Sequence, residues 1–316
     1  MNALKGARAA DRMPHALLIH DAAGAGGDWL ARWVAKLTLC TNATAAPCGS
    51  CAGCKRVAAD QHPDLIVVQP IDDSKQIRIE QVRELAAELA LTSHQGGYKV
   101  GILTPADAFN RFAANALLKT LEEPSPRTLL MLVASTPSRL PATILSRCQR
   151  IAVPPPKRAE SVAWLEANVG AGDWNAVLDT LGEAPFLAAT ADATAIPQLG
   201  GETRRTLEEL EQGSADPCTT AERWSRSELA LRLACFENWL TDRIRRQSTA
   251  PAFSAEMRGA THLPRAASVM NIRGLFELVD GVRDLKLQLD SPINRSLALE
   301  SLLRRLTPGR TARAPN

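Results

Sequence analysis

Residues 17–39 read LLIHDAAGAGGDWLARWVAKLTL and decide the fold, because they give an apolar strand, a glycine-rich loop and a helix in succession. The apolar run Leu17–Ile19 predicts the strand, and the pattern from Trp29 to Leu39 predicts the helix. Between them, Asp21–Asp28 (DAAGAGGD) occupies the place of a phosphate-binding loop of the form G-x-x-x-x-G-K-[ST]. Such a loop requires this order of elements, so the sequence predicts a P-loop type of α/β scaffold.

The residues that perform phosphate chemistry are missing from this loop. Gly26 matches the motif, but Asp21 stands where the first glycine belongs. Gly27 replaces the lysine that reaches the β- and γ-phosphates, and Asp28 replaces the hydroxyl that holds Mg²⁺. A carboxylate at position 28 would lie at the helix N-terminus, where it would occupy or repel the place of a phosphate. We therefore expect no ATP to bind at the degenerate loop, whose positions include Gly24, Gly26, Gly27 and Asp28.

A second ATPase position is also changed. In a working P-loop ATPase, a carboxylate pair at the end of a neighbouring strand holds Mg²⁺ and polarises the attacking water. Here the apolar strand Val100–Leu103 is followed by Thr104 and Pro105, and neither residue supplies a carboxylate. Asp107 follows shortly afterwards, and we expect it to cap a helix rather than to bind a metal ion.

The same alternation of elements continues through the first half of the chain. Short, nearly continuous apolar runs predict strands at 17–19, 65–69, 100–103 and 129–134. Helical patterns lie between them, with apolar residues at 79, 82, 85 and 89 in one and a second at 113–121 that Pro124 ends. Alternating strands and helices predict an α/β domain with a parallel sheet and helices on both faces.

After residue 153 the pattern becomes helical. Pro154–Pro156 is a stiff connector, and a Gly/Pro/Thr-rich stretch at 191–203 suggests a second boundary. Beyond it, apolar residues fall on three helix faces: Leu229, Leu233, Phe236, Leu240 and Ile244; Leu275, Val279, Val282, Leu285 and Leu289; and Leu299, Leu302, Leu303 and Leu306. The predicted domains are an α/β domain (1–155), a small helical domain (156–203), a C-terminal helix bundle (204–310) and a flexible tail (311–316).

Composition indicates an ordinary globular protein. The chain has 316 residues, of which 45% are hydrophobic and 22% charged. No apolar run reaches membrane-span length and the N-terminal segment MNALKGARAADRMPH lacks a signal-peptide core, so we expect a cytoplasmic protein with no membrane partner. The 37 basic and 34 acidic residues give a net charge of +3, which does not by itself indicate nucleic-acid binding.

Four of the seven cysteines form a cluster, C-x7-C-x2-C-x2-C, made of Cys40, Cys48, Cys51 and Cys54. Four soft thiolates at this spacing are typical of a closed, tetrahedral, structural zinc site. An iron–sulfur cluster held by four cysteines is the main competing metal site, and unligated thiols in a loop are the remaining alternative. An odd number of cysteines in a cytosolic chain argues against a disulfide framework.

Two further segments carry a resemblance to a known family. They are NALLKTLEEP at 115–124 and LLMLVASTPSRLPATILSRC at 129–148, which ends in a Ser-Arg-Cys motif. The chain resembles the clamp-loader branch of the AAA+ ATPases, and these motifs lie within residues 14–150. The degenerate DAAGAGGD loop and the four-cysteine insertion are similar to those of the delta-prime members of this branch in bacterial DNA polymerase III.

The resemblance implies an architecture and a function. It implies an AAA+ type α/β domain, a small helical lid and a C-terminal helical collar. The chain is expected to be a non-catalytic subunit that assembles with gamma or tau ATPase subunits and a delta subunit, and helps to load the sliding clamp onto primer-template DNA in replication. Such a chain would belong to a DNA-directed DNA polymerase holoenzyme without hydrolysing ATP by itself.

The resemblance also implies roles for individual residues. Arg147, in the Ser-Arg-Cys motif, would act in trans as an arginine finger on the ATP of a neighbouring subunit. The four clustered cysteines would hold Zn²⁺. Active members of the family offer an arginine to their own nucleotide from the lid, and Gly182–Pro185 offers none here.

Two other functions remain open at the level of sequence. One is an active clamp-loader ATPase with an unusual loop, which ATP binding by the isolated chain would reveal. The other is a zinc-dependent DNA-binding module, which DNA binding by the isolated chain would reveal. The plainer interpretations are that Arg147 is a surface arginine, and that Glu122 and the basic cluster Arg243, Arg245 and Arg246 lie on solvated helix surfaces.

Overall fold

The computed structural model describes residues 1–22, 24–42, 44–71, 76–94, 96–249, 272–289 and 293–307. The chain divides into two compact units. The first contains Met1–Lys157 with Ala184–Phe186, and the second contains Arg158–Glu183 with Leu187–Asn316. In the described part of the chain, no helix combines the length and the hydropathy needed to cross a bilayer. The expected tail at 311–316 lies outside the described residues.

The first unit is built on a five-stranded parallel sheet in the order β2-β3-β4-β1-β5. The strands are β1 (Ala16–His20), β2 (Leu65–Val68), β3 (Lys99–Leu103), β4 (Thr128–Ala134) and β5 (Gln149–Ala152). The four predicted apolar strands are confirmed: β1, β3 and β4 are buried in the middle of the sheet, and β2 is a half-buried edge strand. The fifth strand was not predicted, since it is a largely exposed edge strand that begins with Gln149 and Arg150.

The helices of the first unit lie between these strands. They are α1 (Asn2–Ala9), α2 (Gly27–Leu39), α3 (Ala52–Ala58), α4 (Ile79–Ala90), α5 (Arg111–Glu122) and α6 (Ala142–Leu145), with short 3-10 helices at Ala106–Ala108 and Pro137–Arg139. Asn110 caps α5, because its side chain accepts a hydrogen bond from the Ala113 N–H at 2.8 Å. The expectation that Asp107 caps a helix is therefore wrong: its carboxylate accepts from the Thr136 N–H at 2.9 Å and joins the ends of β3 and β4.

Alternate residues of the central strands enter separate cores on the two faces of the sheet. Leu17 and Ile19 pack with α2, whereas Leu18 packs with α4 and α5. Complete burial of each leucine contributes about 1.5–3 kcal/mol. Because the sheet is parallel, the carboxyl ends of β1, β3 and β4 meet at one edge, which is where ligands bind in open α/β sheets.

The second unit is helical. Its helices are α7 (Arg158–Asn168), α8 (Trp174–Leu181), α10 (Ala195–Glu211), α11 (Pro217–Arg226), α12 (Leu229–Thr249), α13 (Ile272–Leu287) and α14 (Arg295–Arg304); α9 (Pro185–Ala188) contains residues of both units. The three predicted apolar faces of the C-terminal bundle pack into one hydrophobic cluster, which confirms those faces. A separate cluster joins α7, α8 and the start of α10.

One helix, α10, runs through the predicted boundary at 203–204. The Gly/Pro/Thr-rich composition of 191–203 suggested a second boundary, but Gly200 has a packing role inside the helix. A Cβ at position 200 would lie 2.0 Å from Oγ1 of Thr180, so only glycine allows α8 and α10 to approach this closely. The division of the second unit into a lid and a collar stays a prediction.

Candidate functional site

The phosphate-type loop connects β1 to α2 and depends on glycine at two positions. Gly24 has a φ of 77° and Gly26, the residue before α2, has a φ of 123°. Residues with a side chain rarely adopt these values, so the loop keeps the backbone requirements of its class although its chemical residues have changed.

The carboxylate of Asp21 fills the inside of this loop. The backbone N–H of Gly27 donates to Oδ2 of Asp21 at 2.7 Å, and Asp21 is 6% exposed. Burial raises the pKa of Asp21 and the charge of Asp28 adds to this rise, while the Gly27 hydrogen bond opposes it. In a working loop, backbone N–H groups at this helix N-terminus bind phosphate. An internal carboxylate therefore takes the donor that a phosphate would use.

Asp28 has a different role from the one expected. Its Oδ1 accepts a hydrogen bond from the hydroxyl of Thr104, the residue that follows β3. In working P-loop ATPases the loop supplies the hydroxyl and the strand supplies the carboxylate, and both hold Mg²⁺. Here the two groups have exchanged places and bond to each other. Asp28 thus lies in the first turn of α2 as expected, but the carboxylate that occupies the phosphate position is that of Asp21, and repulsion of a phosphate by Asp28 stays a prediction.

Two aromatic rings cover the outside of the loop. The ring of Phe186 stacks on that of Trp29 with centroids 6.4 Å apart, and the Phe186 N–H donates to the carbonyl of Gly24 at 3.1 Å. A Cβ at Gly26 would lie 3.0 Å from the Phe186 ring. The loop is therefore bonded to Asp21 on its inside and packed against Phe186 on its outside.

Arg147 lies in the turn between α6 and β5, where its side chain is 36% exposed. Its Nη2 is 2.8 Å from Oε1 of Glu122, and its Nη1 donates to the carbonyl of Thr143 at 2.9 Å and to Oγ of Ser146 at 3.3 Å. The neighbouring Cys148 is buried, which raises the pKa of its thiol to about 11. In the Ser-Arg-Cys motif, Cys148 is thus packed in the core while Arg147 presents its guanidinium at the surface.

The four clustered cysteines converge in space. Cys40 follows α2, Cys48 lies in the following loop, Cys51 caps α3 and Cys54 lies inside it. Their four sulfur atoms lie within 4.8 Å of one another, and Sγ of Cys40 is 3.6 Å from that of Cys48 and 3.8 Å from that of Cys51. Four sulfurs bound at about 2.3 Å to one tetrahedral ion would be about 3.8 Å apart. The residues therefore fit a single metal ion.

Hydrogen bonds to the sulfurs support the thiolate form that a metal requires. The Cys51 N–H donates to Sγ of Cys48 and the Cys54 N–H to Sγ of Cys51, both at 3.4 Å. The first of these is the main cause of the lowered pKa of Cys48, and a hydrogen bond from the Thr41 side chain is the main cause that lowers the pKa of Cys51 to about 5. Burial, in contrast, raises the pKa of Cys54.

Distance separates the cysteine cluster from the phosphate-type loop. The two lie at opposite ends of α2, whose 13 residues span about 20 Å at 1.5 Å per residue. A metal at the cysteines therefore cannot take part in chemistry at the loop, and its effect is to tie the end of α2 to α3.

Sequence reasoning missed three functional contacts: Asp21 with Gly27, Phe186 with the loop, and Glu122 with Arg147. In the second unit, Arg243 lies over the ring of Trp239 at 4.5 Å and pairs with Glu211, and Arg245 is 3.8 Å from Asp242. These partners agree with the interpretation of the basic cluster as part of a helix surface.

Comparison with known proteins gives the family. The family described as DNA polymerase III, delta subunit, matches residues 1–157, and its C-terminal counterpart matches residues 202–307. The chain is 34% identical over 299 residues to DNA polymerase III subunit delta-prime of Pseudomonas aeruginosa, covering 92% of this chain and 90% of that relative.

Two further relatives come from Escherichia coli. Its subunit delta-prime is 31% identical over 312 residues, which cover 94% of this chain and 90% of that protein. Its subunit tau is 36% identical over 149 residues, which cover 47% of this chain and 23% of tau. Full-length similarity is thus to the delta-prime proteins, and the chain belongs to the family of DNA polymerase III delta-prime subunits.

Proposed function

We propose that this clamp-loader subunit is non-catalytic and supplies Arg147 in trans to the ATP site of a neighbouring gamma or tau subunit. The observation that carries the proposal is a contrast within one compact unit: Asp21 fills the phosphate-type loop, while the guanidinium of Arg147 remains partly exposed.

Five local features support the proposal that the chain neither binds nor hydrolyses ATP. Asp21 takes the Gly27 N–H, and its negative charge would repel a phosphate. Gly27 supplies no lysine, and Phe186 packs against Gly26. Asp28 and Thr104 bond to each other, and no carboxylate pair follows β3 to polarise a water. Each feature alone weakens nucleotide binding or hydrolysis, and together they support an inactive site.

Arg147 is suited to act on the ATP of another chain. Phosphoryl transfer spreads negative charge over the γ-phosphate oxygens, and a guanidinium presents donors in a fixed fork that matches them. Because the finger would come from a subunit without turnover of its own, hydrolysis by the neighbour would depend on assembly. Through this control the chain would contribute to loading the sliding clamp onto primer-template DNA, together with the gamma or tau and delta subunits.

The cysteine cluster is proposed to hold Zn²⁺ through Cys40, Cys48, Cys51 and Cys54. The convergence of the four sulfurs supports a single tetrahedral ion, and four thiolates leave no open position for water or substrate. The ion would be structural: it would hold α2 and α3 together, and α2 begins at the phosphate-type loop.

A lid at 156–203 and a collar at 204–310 are proposed, most of whose residues belong to the second unit. Its two hydrophobic clusters support the division, since one contains Leu165 to Ile196 and the other Leu207 to Leu306. The collar would be the part of the chain that packs against the collars of other subunits.

The test is the DNA- and clamp-stimulated ATPase rate of complexes assembled with gamma or tau and delta subunits from the same organism. Arg147→Ala should assemble normally and reduce the rate, and Arg147→Lys should restore little because a point charge lacks the fork. Arg139→Ala, which removes an exposed arginine from the segment just before α6, is the matched control. A finger contributes about 10³-fold or more at one site, and the loss in the whole ring should be smaller because other sites keep their own fingers. A wild-type rate in a fully assembled Arg147→Ala complex would refute the proposal.

A further inference from the structure

Glu122, the last residue of α5, makes a direct contact with Arg147. Its Oε1 lies 2.8 Å from Nη2 of Arg147, and the two side chains are 50% and 36% exposed. The guanidinium also donates through Nη1 to the carbonyl of Thr143 and to Oγ of Ser146. Acceptors from both α5 and the α6 turn therefore hold one planar group.

The position of Glu122 at the C-terminal end of a helix favours a functional role for this contact. A carboxylate in the last turn of a helix faces the negative end of the helix dipole, which disfavours it unless a cation compensates. Arg147 is that cation. It comes 25 residues later in the sequence, and β4 and α6 return the chain to the end of α5. The next residue, Glu123, is not among the acceptors described for the Arg147 side chain.

We propose that Glu122 is a positioning residue, which orders the guanidinium of Arg147 before the chain meets a nucleotide-bound neighbour. This inference rests on the proposed role of Arg147 as a finger. An arginine side chain loses much rotamer entropy when it binds, and a side chain that is already ordered loses less. The two hydrogen bonds described for the guanidinium both come from Nη1, and the ion pair holds Nη2 beside Glu122, which leaves N–H donors outside these hydrogen bonds for a phosphate.

The functional test compares three variants in the assembled complex, with Arg147→Ala as the reference. Glu122→Ala should lower kcat of the stimulated ATPase about two- to five-fold, the range expected for an exposed ion pair, with little change in KM for ATP. Glu122→Gln should retain most of the activity, because its amide oxygen can take the place of the carboxylate oxygen beside Nη2. Glu123→Ala is the matched control and should keep the wild-type rate. If Glu122→Ala equals or exceeds wild type while Arg147→Ala is slow, the positioning role is wrong and the finger stands.

A second measurement, on the free chain, separates this inference from the finger itself. The order parameter of the Arg147 Nε–H group, measured by ¹⁵N relaxation, should fall in Glu122→Ala and be preserved in Glu122→Gln. Thermal melting of each variant checks that the fold is intact. An unchanged order parameter in a folded Glu122→Ala chain would overturn the inference, whatever the ATPase measurements show for Arg147.

Discussion

In the proposed function, the loop Asp21–Asp28 would be the receiving half and the turn Ser146–Cys148 the donating half of an ATPase site, and the two differ in their exposure to solvent. In the loop, the Gly27 N–H is bonded to a buried carboxylate and Phe186 covers Gly26. In the turn, the guanidinium of Arg147 contacts Thr143 through Nη1 and Glu122 through Nη2, and its side chain is partly exposed. The proposed function thus combines a loop closed to nucleotide with an arginine that would act on a neighbour's nucleotide.

The largest effect should come from the cysteine cluster. With a bound metal it would stabilise the end of α2 that lies away from the loop Asp21–Asp28, and it is not part of the loop or of the turn Ser146–Cys148. Cys51→Ser should remove the bound metal and destabilise the chain by on the order of 4 kcal/mol, a size that is usual for the loss of a structural metal. Elemental analysis and thermal melting measure both effects. Cys218→Ser, a change in the second unit, is the control. Purified wild-type protein that contains no metal, or contains iron, would contradict this prediction.

The role of Asp21 in preventing ATP binding can be tested by restoring the residues of an active P-loop. Gly27→Lys with Asp28→Thr should not bind ATP, because a Cβ at position 27 would lie 2.5–2.9 Å from the carboxylate of Asp21. Adding Asp21→Gly should allow measurable ATP binding, without turnover, since no carboxylate pair follows β3. Calorimetry with MgATP compares the variants, and Asp21→Gly alone is the control. Equal ATP affinity in the double and triple variants would show that Asp21 does not close the loop.

Asp21 should also contribute to stability. Asp21→Ala leaves the buried Gly27 N–H without its acceptor, which costs about 1–3 kcal/mol. Asp21→Asn keeps an acceptor oxygen and should cost much less. Urea unfolding followed by circular dichroism measures both, and equal stability of the alanine and asparagine variants would count against the hydrogen bond.

The smallest expected effect is an opposite pH dependence at two acids, the buried Asp21 in the first unit and the half-buried Glu237 in the second. Burial raises the pKa of Asp21 above its usual 3.8, so its ionisation opposes folding, and stability from this group falls as pH rises through the folded pKa. Burial also tends to raise the pKa of Glu237, but Lys286 and Arg283 outweigh it and lower the pKa below 4.5. Stability from Glu237 is thus present above pH 4.5 and lost as pH falls through the folded pKa.

Replacing each acid by its neutral amide tests the opposite pH dependence of Asp21 and Glu237. Glu237→Gln should lower the free energy of unfolding at pH 7 by about 1 kcal/mol or less and change little at pH 3. The stability of Asp21→Asn relative to that of the wild type should be greater at pH 7 than at pH 3. Melting curves at both pH values measure the two differences, and a shift of the same sign for both residues would contradict the assigned causes.

The features that sequence predicted are those whose cause is local. The three central strands are apolar runs covered on both faces, the edge strand β2 is a short apolar run, and the cysteines are close enough in the chain to converge in space. Strand β5 was missed because an exposed edge strand carries polar residues such as Gln149 and Arg150.

The missed contacts depend on the folded path of the chain. Motif comparison treats Asp21 as a mismatch, and its bond to Gly27 exists only once the loop turns back on itself. Glu122 and Arg147 are 25 residues apart and meet because β4 and α6 return the chain to the end of α5. Phe186 reaches the loop from a segment more than 150 residues later in the chain.

The most direct measurement compares the two halves in one assay, as single-turnover ATP hydrolysis by complexes of matched composition. One complex carries Arg147→Ala in the donating half, and the other carries Asp28→Ala in the receiving half. The account predicts a slower turnover with Arg147→Ala and the wild-type rate with Asp28→Ala. A wild-type rate with Arg147→Ala, or an equal loss with Asp28→Ala, would contradict it.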